Sequence, residues 1–256
     1  MGFFKTAKSE VAETVDVASC PICSSVTTHM YYMQDAETKI RSKWYSCHCG
    51  VIWQMGEPKE PYDQKYFDRY KDGGKKYASA VKYPVQVYMP LIEELMYGRR
   101  VLEVGHTSPY QVETMKERGW VPTTIDKNPC FTPSDTFIVD DFETHDFDDQ
   151  KFNLIWLNHT LECFSNPKES LAKCFSLLPE DGILVIMTPD TDFLHTRSSS
   201  GFIHWKPQTN RLMWNGSALT SYLERLGFQT IMCRRNYEHR FAAQDDIHGI
   251  WQKKFF

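Results

Sequence analysis

Four cysteines near the start of the chain have a spacing that suits a metal ion. They form a C-x2-C pair and, 23 residues later, a C-x-C pair: Cys20, Cys23, Cys47 and Cys49. Four thiolates can close a tetrahedral structural zinc site, although the second pair is one residue shorter than in a usual zinc ribbon. We predict Zn²⁺ on these four residues, with His48 or His29 as a substitute ligand. Reduced free cysteines are the alternative.

A second group of residues that could bind a ligand follows a hydrophobic segment in the middle of the chain. Residues 101–105 are typical of a buried strand, and Asp126 lies twenty-one positions after Gly105. In doubly wound folds the turn after the first strand approaches a cofactor, and a carboxylate ending the second accepts hydrogen bonds from ribose hydroxyls. The G-x-G-x-x-G fingerprint is absent, because His106 and the residues up to Pro109 follow Gly105. The pattern therefore favours a nucleoside cofactor without a pyrophosphate.

Alternating strands and helices are predicted to position these residues. The predicted strands are 101–105, 121–125, 137–139, 152–157, 182–188, 228–233 and 249–254. The predicted helices are 62–70, 84–97, 108–119, 166–178 and 217–226, with Pro90 expected to kink or divide the second of them. Strands that alternate with helices of this length predict βαβ units and a doubly wound, mostly parallel seven-stranded sheet.

Capping signals mark the start of two of these helices. Ser108 is the predicted N-cap of the first, with Gln111 closing a capping box. Asn166 is the predicted N-cap of the second, with Glu169 in the corresponding position.

The predicted domain organisation has four parts. Residues 1–18 form a flexible lead, 19–60 a cysteine-rich zinc-ribbon-like module, 61–98 a tyrosine-rich helical connector, and 99–256 the α/β domain.

Composition excludes several classes of protein. With 29 basic and 33 acidic residues, the chain lacks the strongly basic footprint of a general nucleic-acid binder. The longest aliphatic run, residues 183–187, is too short to cross a bilayer, and no apolar leader segment is seen. The remaining cysteines lie in apolar surroundings typical of buried thiols: Cys130, Cys163, Cys174 and Cys233. These features predict a cytoplasmic protein without membrane association, and they leave the oligomeric state open.

From residue 100 to residue 256 the chain resembles class I S-adenosylmethionine-dependent methyltransferases. The motifs that carry the resemblance occur in the family's order: VLEVG, TTIDKN, IVDDFE, FNLIWLNHTLECF, LLPEDGILVIMTP and LERLGFQTI. Each motif alone is weak, and the ordered set is specific. The layout of a cysteine pair, a tyrosine-rich helix and then this domain is similar to a subgroup that acts on sugars and other small metabolites.

The resemblance implies a site for S-adenosylmethionine. Gly105 would approach the methionine moiety, Glu103 would orient its amino group, and Asp126 would hold the ribose hydroxyls. The complete implied set is Glu103, Gly105, His106, Asp126, Lys127, Asp141, Phe142 and Asn158.

Further positions match the family's adenine and acceptor sites. Asp141 and Phe142 would read the adenine edge and ring, and Asn158 with His159 would face the sulfonium and the acceptor. The chain departs from the family pattern at Asn153, where the family often has aspartate, and in a glycine-rich turn that is reduced to Gly105.

Methyl transfer to oxygen or nitrogen also requires a base that takes the proton of the acceptor. His159 is the first candidate, because it follows the fourth strand of the predicted sheet. Alternatively, His159 and Glu162 are structural members of an HxLE turn. Asp190, next to the end of the fifth strand, is the second candidate.

Two aromatic segments have both a functional and a structural interpretation. The long connection 190–216 contains His195, His204, Trp205 and Trp214, and is either a lid over the substrate or a loop docked by its tryptophans. The second segment, Tyr62, Tyr66 and Tyr70, either folds over the cofactor, as the resemblance implies, or simply packs.

These features predict a methyltransferase that acts on a small polar metabolite, such as a sugar, a nucleotide-linked sugar or a glycan end. Two alternatives remain. The first is an RNA or DNA methyltransferase that uses the zinc module for recognition. The second is a non-catalytic binding protein that kept the fold, which the reduced glycine turn suggests and the presence of Asp126 and Asp141 opposes.

Overall fold

A computed structural model describes residues 16–34, 39–55, 74–106, 108–128, 136–192, 206, 208–235 and 246–254. The strands are β1 (Ala18–Ser19), β2 (Val26–Thr27), β3 (Met30–Gln34), β4 (Arg41–Ser46), β5 (Val51–Gln54), β6 (Arg100–Val104), β7 (Val121–Asp126), β8 (Phe137–Val139), β9 (Leu154–Asn158), β10 (Ile183–Pro189), β11 (Leu212–Trp214), β12 (Phe228–Arg235) and β13 (Asp246–Lys253). The helices are α1 (Gly74–Leu95), α2 (Pro109–Glu117), α3 (Pro167–Leu177) and α4 (Gly216–Leu226), with a 3-10 turn at Leu161–Cys163.

The largest sheet confirms the predicted fold class. Its seven strands follow the order β12-β13-β10-β9-β6-β7-β8. All neighbouring pairs are parallel except those made by β13, which runs antiparallel to β10 and β12. From β6 the chain proceeds first outward to β7 and β8, and then to β9 and β10 on the other side. Open α/β sheets bind ligands at such a switch point, beside the carboxyl ends of the strands.

Alternate residues of the central strands pack against helices on the two faces of the sheet. On one face Leu154 and Trp156 belong to a buried cluster with residues of α1 and α2. On the other face Ile155 and Leu157 belong to a second cluster with residues of α3 and α4. The central strands are therefore covered on both sides, as an all-apolar strand pattern requires.

Helix α1 is longer than the sequence predicts. It begins at Gly74 rather than near residue 84 and continues through both Pro84 and Pro90. Pro90 therefore does not divide the helix, and a kink at this position stays a prediction. A proline inside a helix removes one hydrogen bond, yet the buried side chains of Met89 and Ile92, which lie next to Pro90, pack on the sheet and offset that cost. The segment predicted as a connector thus contributes a helix to the α/β layers.

The helix caps differ in part from the prediction. Ser108 caps α2 by accepting a hydrogen bond from the backbone of Tyr110, as expected. Gln111 does not close a capping box, because its side chain turns into the protein, where it bonds to Glu103 and Asn158.

At α3 the predicted capping box is also wrong. Asn166 makes no side-chain capping bond. Instead the Glu143 carboxylate accepts hydrogen bonds from the backbone amides of Ser165 and Asn166 and from the hydroxyl of Ser170. A carboxylate at a helix N-terminus satisfies orphan amides and complements the helix dipole, which explains why Glu143 takes this role.

The cysteine module is completed by a strand from the α/β part of the chain. Strand β11 pairs with β5 in a four-stranded sheet of order β11-β5-β4-β3. Trp214, in β11, is fully buried, which favours the docked-loop interpretation for this part of 190–216. His195, His204 and Trp205 lie outside the described residues, as do Tyr62, Tyr66 and Tyr70. None of the helices in the described ranges is long and apolar enough to span a membrane.

Candidate functional site

A cavity of about 340 Å³ opens at the carboxyl ends of β6, β7 and β9, beside the switch point of the sheet. Its size is within the range of small-molecule sites. It is lined by seven of the eight residues that the family resemblance implies for the cofactor: Gly105, His106, Asp126, Lys127, Asp141, Phe142 and Asn158. The eighth, Glu103, lies behind the wall.

The turn after β6 requires its single glycine. Gly105 has φ of +79°, a conformation that other residues rarely adopt, and an added Cβ would lie 2.5 Å from the hydroxyl oxygen of Thr160. That hydroxyl in turn donates a hydrogen bond to the carbonyl of Val104 at 2.7 Å. The reduced glycine turn has kept the one glycine that this close approach demands.

Asp126 ends β7 and faces the same cavity. Its carboxylate accepts hydrogen bonds from the backbone amides of His106 at 2.6 Å and Asn128 at 2.8 Å. Burial raises the pKa of Asp126, while these two amide bonds counteract the rise by stabilising the charged form. A carboxylate has about four acceptor sites, so the two oxygens retain capacity for ligand hydroxyls.

Glu103, which the resemblance assigns to the amino group of the cofactor, is not among the residues that line the cavity. It is only 1% exposed. Its carboxylate accepts three hydrogen bonds, from His106 Nδ1 at 2.7 Å, Gln111 Nε2 at 2.5 Å and Thr124 Oγ1 at 3.1 Å. Burial alone would lower the pKa of His106, but the adjacent Glu103 charge and hydrogen bond raise it. Glu103 therefore supports the wall of the cavity from behind.

The far wall carries an acidic and an aromatic residue. Asp141 forms an ion pair with Lys127 at 2.8 Å between Oδ2 and Nζ. The ring of Phe142 stacks on that of Phe164, with centroids 5.6 Å apart. Both rings line the cavity, so they offer a flat apolar surface next to a group that can accept hydrogen bonds.

His159 lines the cavity between two carboxylates. Its Nδ1 lies 3.2 Å from Glu162 Oε1, and its Nε2 lies 3.2 Å from Asp246 Oδ2. Burial would lower the pKa of His159, but the charges and hydrogen bonds of Asp246 and Glu162 raise it well above its ordinary value. An imidazolium cannot accept a proton, so these contacts favour the structural interpretation of the HxLE turn over a general base.

Asp190 lies away from this cavity. Its side chain is fully buried, where Oδ2 accepts a hydrogen bond from Arg235 Nε at 2.6 Å and Oδ1 accepts one from the Asp192 amide at 3.0 Å. It borders a separate cavity with Ser217 and Cys233. Burial raises the pKa of Asp190, while the Asp192 amide and the Arg235 guanidinium counteract the rise. Because Asp190 does not line the first cavity, it is not placed to act as a base there.

Sequence reasoning missed one cationic residue of the cavity wall. Arg211 lines the cavity just before β11. Its backbone amide donates to the carbonyl of Glu162 at 2.7 Å, and its carbonyl accepts from the amide of Gln54 at 3.0 Å. No local motif marks this position, because Arg211 reaches the wall only through the pairing of β11 with β5.

The four cysteines lie together as predicted. Their Sγ atoms all lie within 4.8 Å of one another. The Cys20–Cys49 distance is 3.7 Å and the Cys23–Cys47 distance is 3.5 Å. Tetrahedral zinc with Zn–S bonds of about 2.3 Å requires sulfurs about 3.8 Å apart, so the donor set fits this metal. Among the described residues, neither histidine near the cluster belongs to this group of donors.

Two tight turns present these thiols. The first turn is closed by hydrogen bonds between Cys20 and the Ser24–Ser25 backbone, with Ser24 at φ of +63°. The second is closed by the Gly50 amide bonded to the Cys47 carbonyl, with Gly50 at φ of +92°. The short second pair is therefore accommodated by a positive-φ glycine directly after Cys49.

The ion pairs of His159 predict a pH-dependent stability. A folded-state pKa above the unfolded value contributes stability that is fully present below about pH 6.5 and is lost as pH rises through the folded pKa. The difference in free energy of unfolding between the wild type and His159→Gln should therefore shrink as pH rises above neutrality. Urea unfolding of both proteins between pH 6 and pH 10 measures it. A difference that is constant over this range would contradict the ion-paired imidazolium.

Comparison with known proteins identifies the family. Residues 76–232, more than half of the chain, match the family model described as a methyltransferase domain. No significant match is found among curated proteins.

Three solved structures illustrate the similarity of fold. The Burkholderia thailandensis 1,6-didemethyltoxoflavin-N1-methyltransferase, with bound 1,6-didemethyltoxoflavin and S-adenosylhomocysteine, is 17% identical, with a TM-score of 0.58 over 83% of this chain and 99% of its own. An S-adenosylmethionine-dependent methyltransferase from Archaeoglobus fulgidus is 17% identical, with a TM-score of 0.56 over 69% of this chain and 94% of its own. The plantazolicin methyltransferase BamL is 12% identical, with a TM-score of 0.52 over 75% of this chain and 90% of its own. The chain belongs to the class I S-adenosylmethionine-dependent methyltransferase family.

Proposed function

We propose that this methyltransferase acts on a small polar metabolite, with a sugar, a nucleotide-linked sugar or a glycan end as the acceptor. The observation that carries the proposal is the cavity beside the switch point, which joins an acidic and aromatic half to a polar half. The toxoflavin-type relative holds S-adenosylhomocysteine together with a small molecule, which supports an acceptor of that size.

The residues of the first half suit the cofactor. Asp126 would accept hydrogen bonds from the ribose hydroxyls, Phe142 would pack on the adenine, and Asp141 would accept a bond from its edge. The turn at Gly105 leaves room for the methionine moiety. When bound, S-adenosylmethionine supplies a methyl group activated by its bond to a sulfonium sulfur. Transfer of that methyl group leaves a neutral thioether.

The residues of the second half suit a hydroxyl-rich acceptor. Gln208 and Thr209 line the cavity with hydrogen-bonding groups, and Arg211 adds a guanidinium. A guanidinium can hold the phosphates of a nucleotide-linked sugar in a bidentate manner. The chain's own contribution to the rate would be mainly alignment of the acceptor atom with the methyl group, because His159 and Asp190 are both held in ion pairs. The proton of the acceptor hydroxyl would then pass to solvent water as the bond to the methyl group forms.

The cofactor assignment predicts a strong effect at Asp126. Asp126→Ala should lower affinity for S-adenosylhomocysteine by about ten- to a hundred-fold, because hydrogen bonds to a charged group contribute about 1.5–3 kcal/mol. Isothermal titration calorimetry measures the change. Glu117→Gln, an exposed position on α2, is the matched control and should bind like the wild type. Unchanged affinity in Asp126→Ala would contradict this site.

The acceptor class predicts which compounds are methylated. Purified protein with S-adenosylmethionine should form S-adenosylhomocysteine with members of a panel of sugars, nucleotide-linked sugars and glycans. Turnover should be at least about ten-fold lower for Arg211→Ala if the acceptor is anionic, because a charge-assisted contact is lost. Mass spectrometry identifies the product. Methylation of RNA or DNA instead of every small acceptor would contradict the proposal.

We propose further that Cys20, Cys23, Cys47 and Cys49 hold a structural Zn²⁺. The sulfur separations support a closed tetrahedral site, and a fourth thiolate leaves no position open for substrate. The metal would fix the turn between β1 and β2 and the turn between β4 and β5. Since β5 pairs with β11, the metal module would also support the cavity wall at Arg211.

Zinc in this site predicts a metal-dependent stability. The purified protein should contain about one zinc per chain, and Cys20→Ser should lose most of it and unfold at a lower temperature, because binding of a structural metal contributes to folding. Elemental analysis and thermal unfolding measure both effects. Cys233→Ser, which lies outside the cluster, is the control and should keep its zinc. Full stability of a metal-free wild type would contradict the structural role.

A further inference from the structure

We propose that Gln111 is a positioning residue for the cofactor. Through a relay anchored on the buried carboxylate of Glu103, it turns the Asn158 side chain so that the amide oxygen accepts a hydrogen bond from the methionine ammonium group. The inference rests on the cofactor occupying the cavity described above, and it deepens that assignment.

The relay consists of two short side-chain hydrogen bonds. Gln111 Nε2 donates to Glu103 Oε1 at 2.5 Å, and Asn158 Nδ2 donates to Gln111 Oε1 at 3.0 Å. Glu103 is 1% exposed and Gln111 is 3% exposed, so water does not compete for these groups. Asn158, at the end of β9, is the member that lines the cavity.

The chemistry of the anchor fixes the direction of both bonds. An ionised carboxylate accepts hydrogen bonds and donates none, so the amide nitrogen of Gln111 must face Glu103. The carbonyl of Gln111 must then face Asn158, which can meet it only with its own amide nitrogen. The Asn158 oxygen is thereby left on the side away from Gln111. A partially negative oxygen at the cavity wall suits a cationic ligand group.

Other contacts hold the Glu103 carboxylate in place. His106 Nδ1 and Thr124 Oγ1 both donate to Glu103 Oε2, at 2.7 Å and 3.1 Å. The second carboxylate oxygen is therefore used by the turn and by β7, and only the first addresses Gln111. If Gln111 only tied α2 to the sheet, its substitution would not weaken binding of the ammonium-bearing part of a ligand more than binding of the adenosine part.

Two ligands that differ in the amino-acid part separate these roles. S-adenosylhomocysteine carries the ammonium group, and 5′-methylthioadenosine has the same adenosine without it. Gln111→Glu places a second carboxylate opposite that of Glu103 and should disrupt the relay. Gln111→Met should disrupt it as well, because it removes both hydrogen bonds of the Gln111 side chain. We expect about ten-fold weaker binding of S-adenosylhomocysteine in each, the effect of one lost charge-assisted bond. Binding of 5′-methylthioadenosine should change less than about two-fold, because that ligand lacks the ammonium group.

An exchange of the two groups provides a rescue. In Glu103→Gln/Gln111→Glu, the amide at 103 accepts from His106 and Thr124 through its oxygen and donates to the carboxylate at 111. That carboxylate again accepts from Asn158 Nδ2, so the orientation of Asn158 is restored. Affinity for S-adenosylhomocysteine should return to within about three-fold of the wild type, a coupling that a double-mutant cycle isolates.

Calorimetric titration of both ligands into the zinc-replete full chain decides between the outcomes. Gln229→Glu, an exposed position on β12, is the control for the same change of charge. Unchanged affinity for S-adenosylhomocysteine in both single variants, an equal loss for both ligands, or no recovery in the exchanged pair would overturn the relay. A wild type that binds neither ligand would instead overturn the cofactor assignment itself.

Discussion

A charged carboxylate buried in a protein must be surrounded by donors, or it costs several kcal/mol of folding free energy. The donors of Glu103 come from three different elements: His106 from the turn after β6, Gln111 from α2 and Thr124 from β7. Because each donor is fixed by the same anion, the turn, the helix and the neighbouring strand are held in one arrangement. The wall of the cofactor cavity is built on that arrangement, and Asp126 is joined to it through the amide of His106.

A second constraint joins the cysteine module to the same cavity. Strand β11 belongs to the chain between β10 and α4 but pairs with β5 of the module. Arg211, at its start, is bonded on one side to Glu162 and on the other to Gln54. The carboxylate of Glu162 in turn contacts His159, so the module, the HxLE turn and the acceptor side of the cavity form one continuous set of contacts. Loss of ordered structure in the cysteine module would therefore alter the acceptor side of the cavity, because backbone hydrogen bonds connect the two.

The sequence predicts the strands of the seven-stranded sheet, the glycine turn and the cysteine cluster well, because each depends on local pattern. Buried strands are marked by apolar runs, Gly105 and Asp126 by their positions at strand ends, and the thiols by spacing. Side-chain partners from distant segments leave no such mark. Glu103 is turned toward Gln111 rather than the cavity. Asp190 accepts a hydrogen bond from Arg235, which lies in β12. Tertiary packing decides these contacts, and it also lets α1 run through Pro90, where local preference alone indicates a break.

A crystal structure with S-adenosylhomocysteine tests most directly whether the cavity beside β6 and β7 holds the cofactor. We expect density for the ribose at Asp126, for the adenine at Phe142 and for the amino-acid part between Gly105 and Asn158. A ligand bound elsewhere on the chain, with this cavity filled by the protein's own side chains, would contradict it.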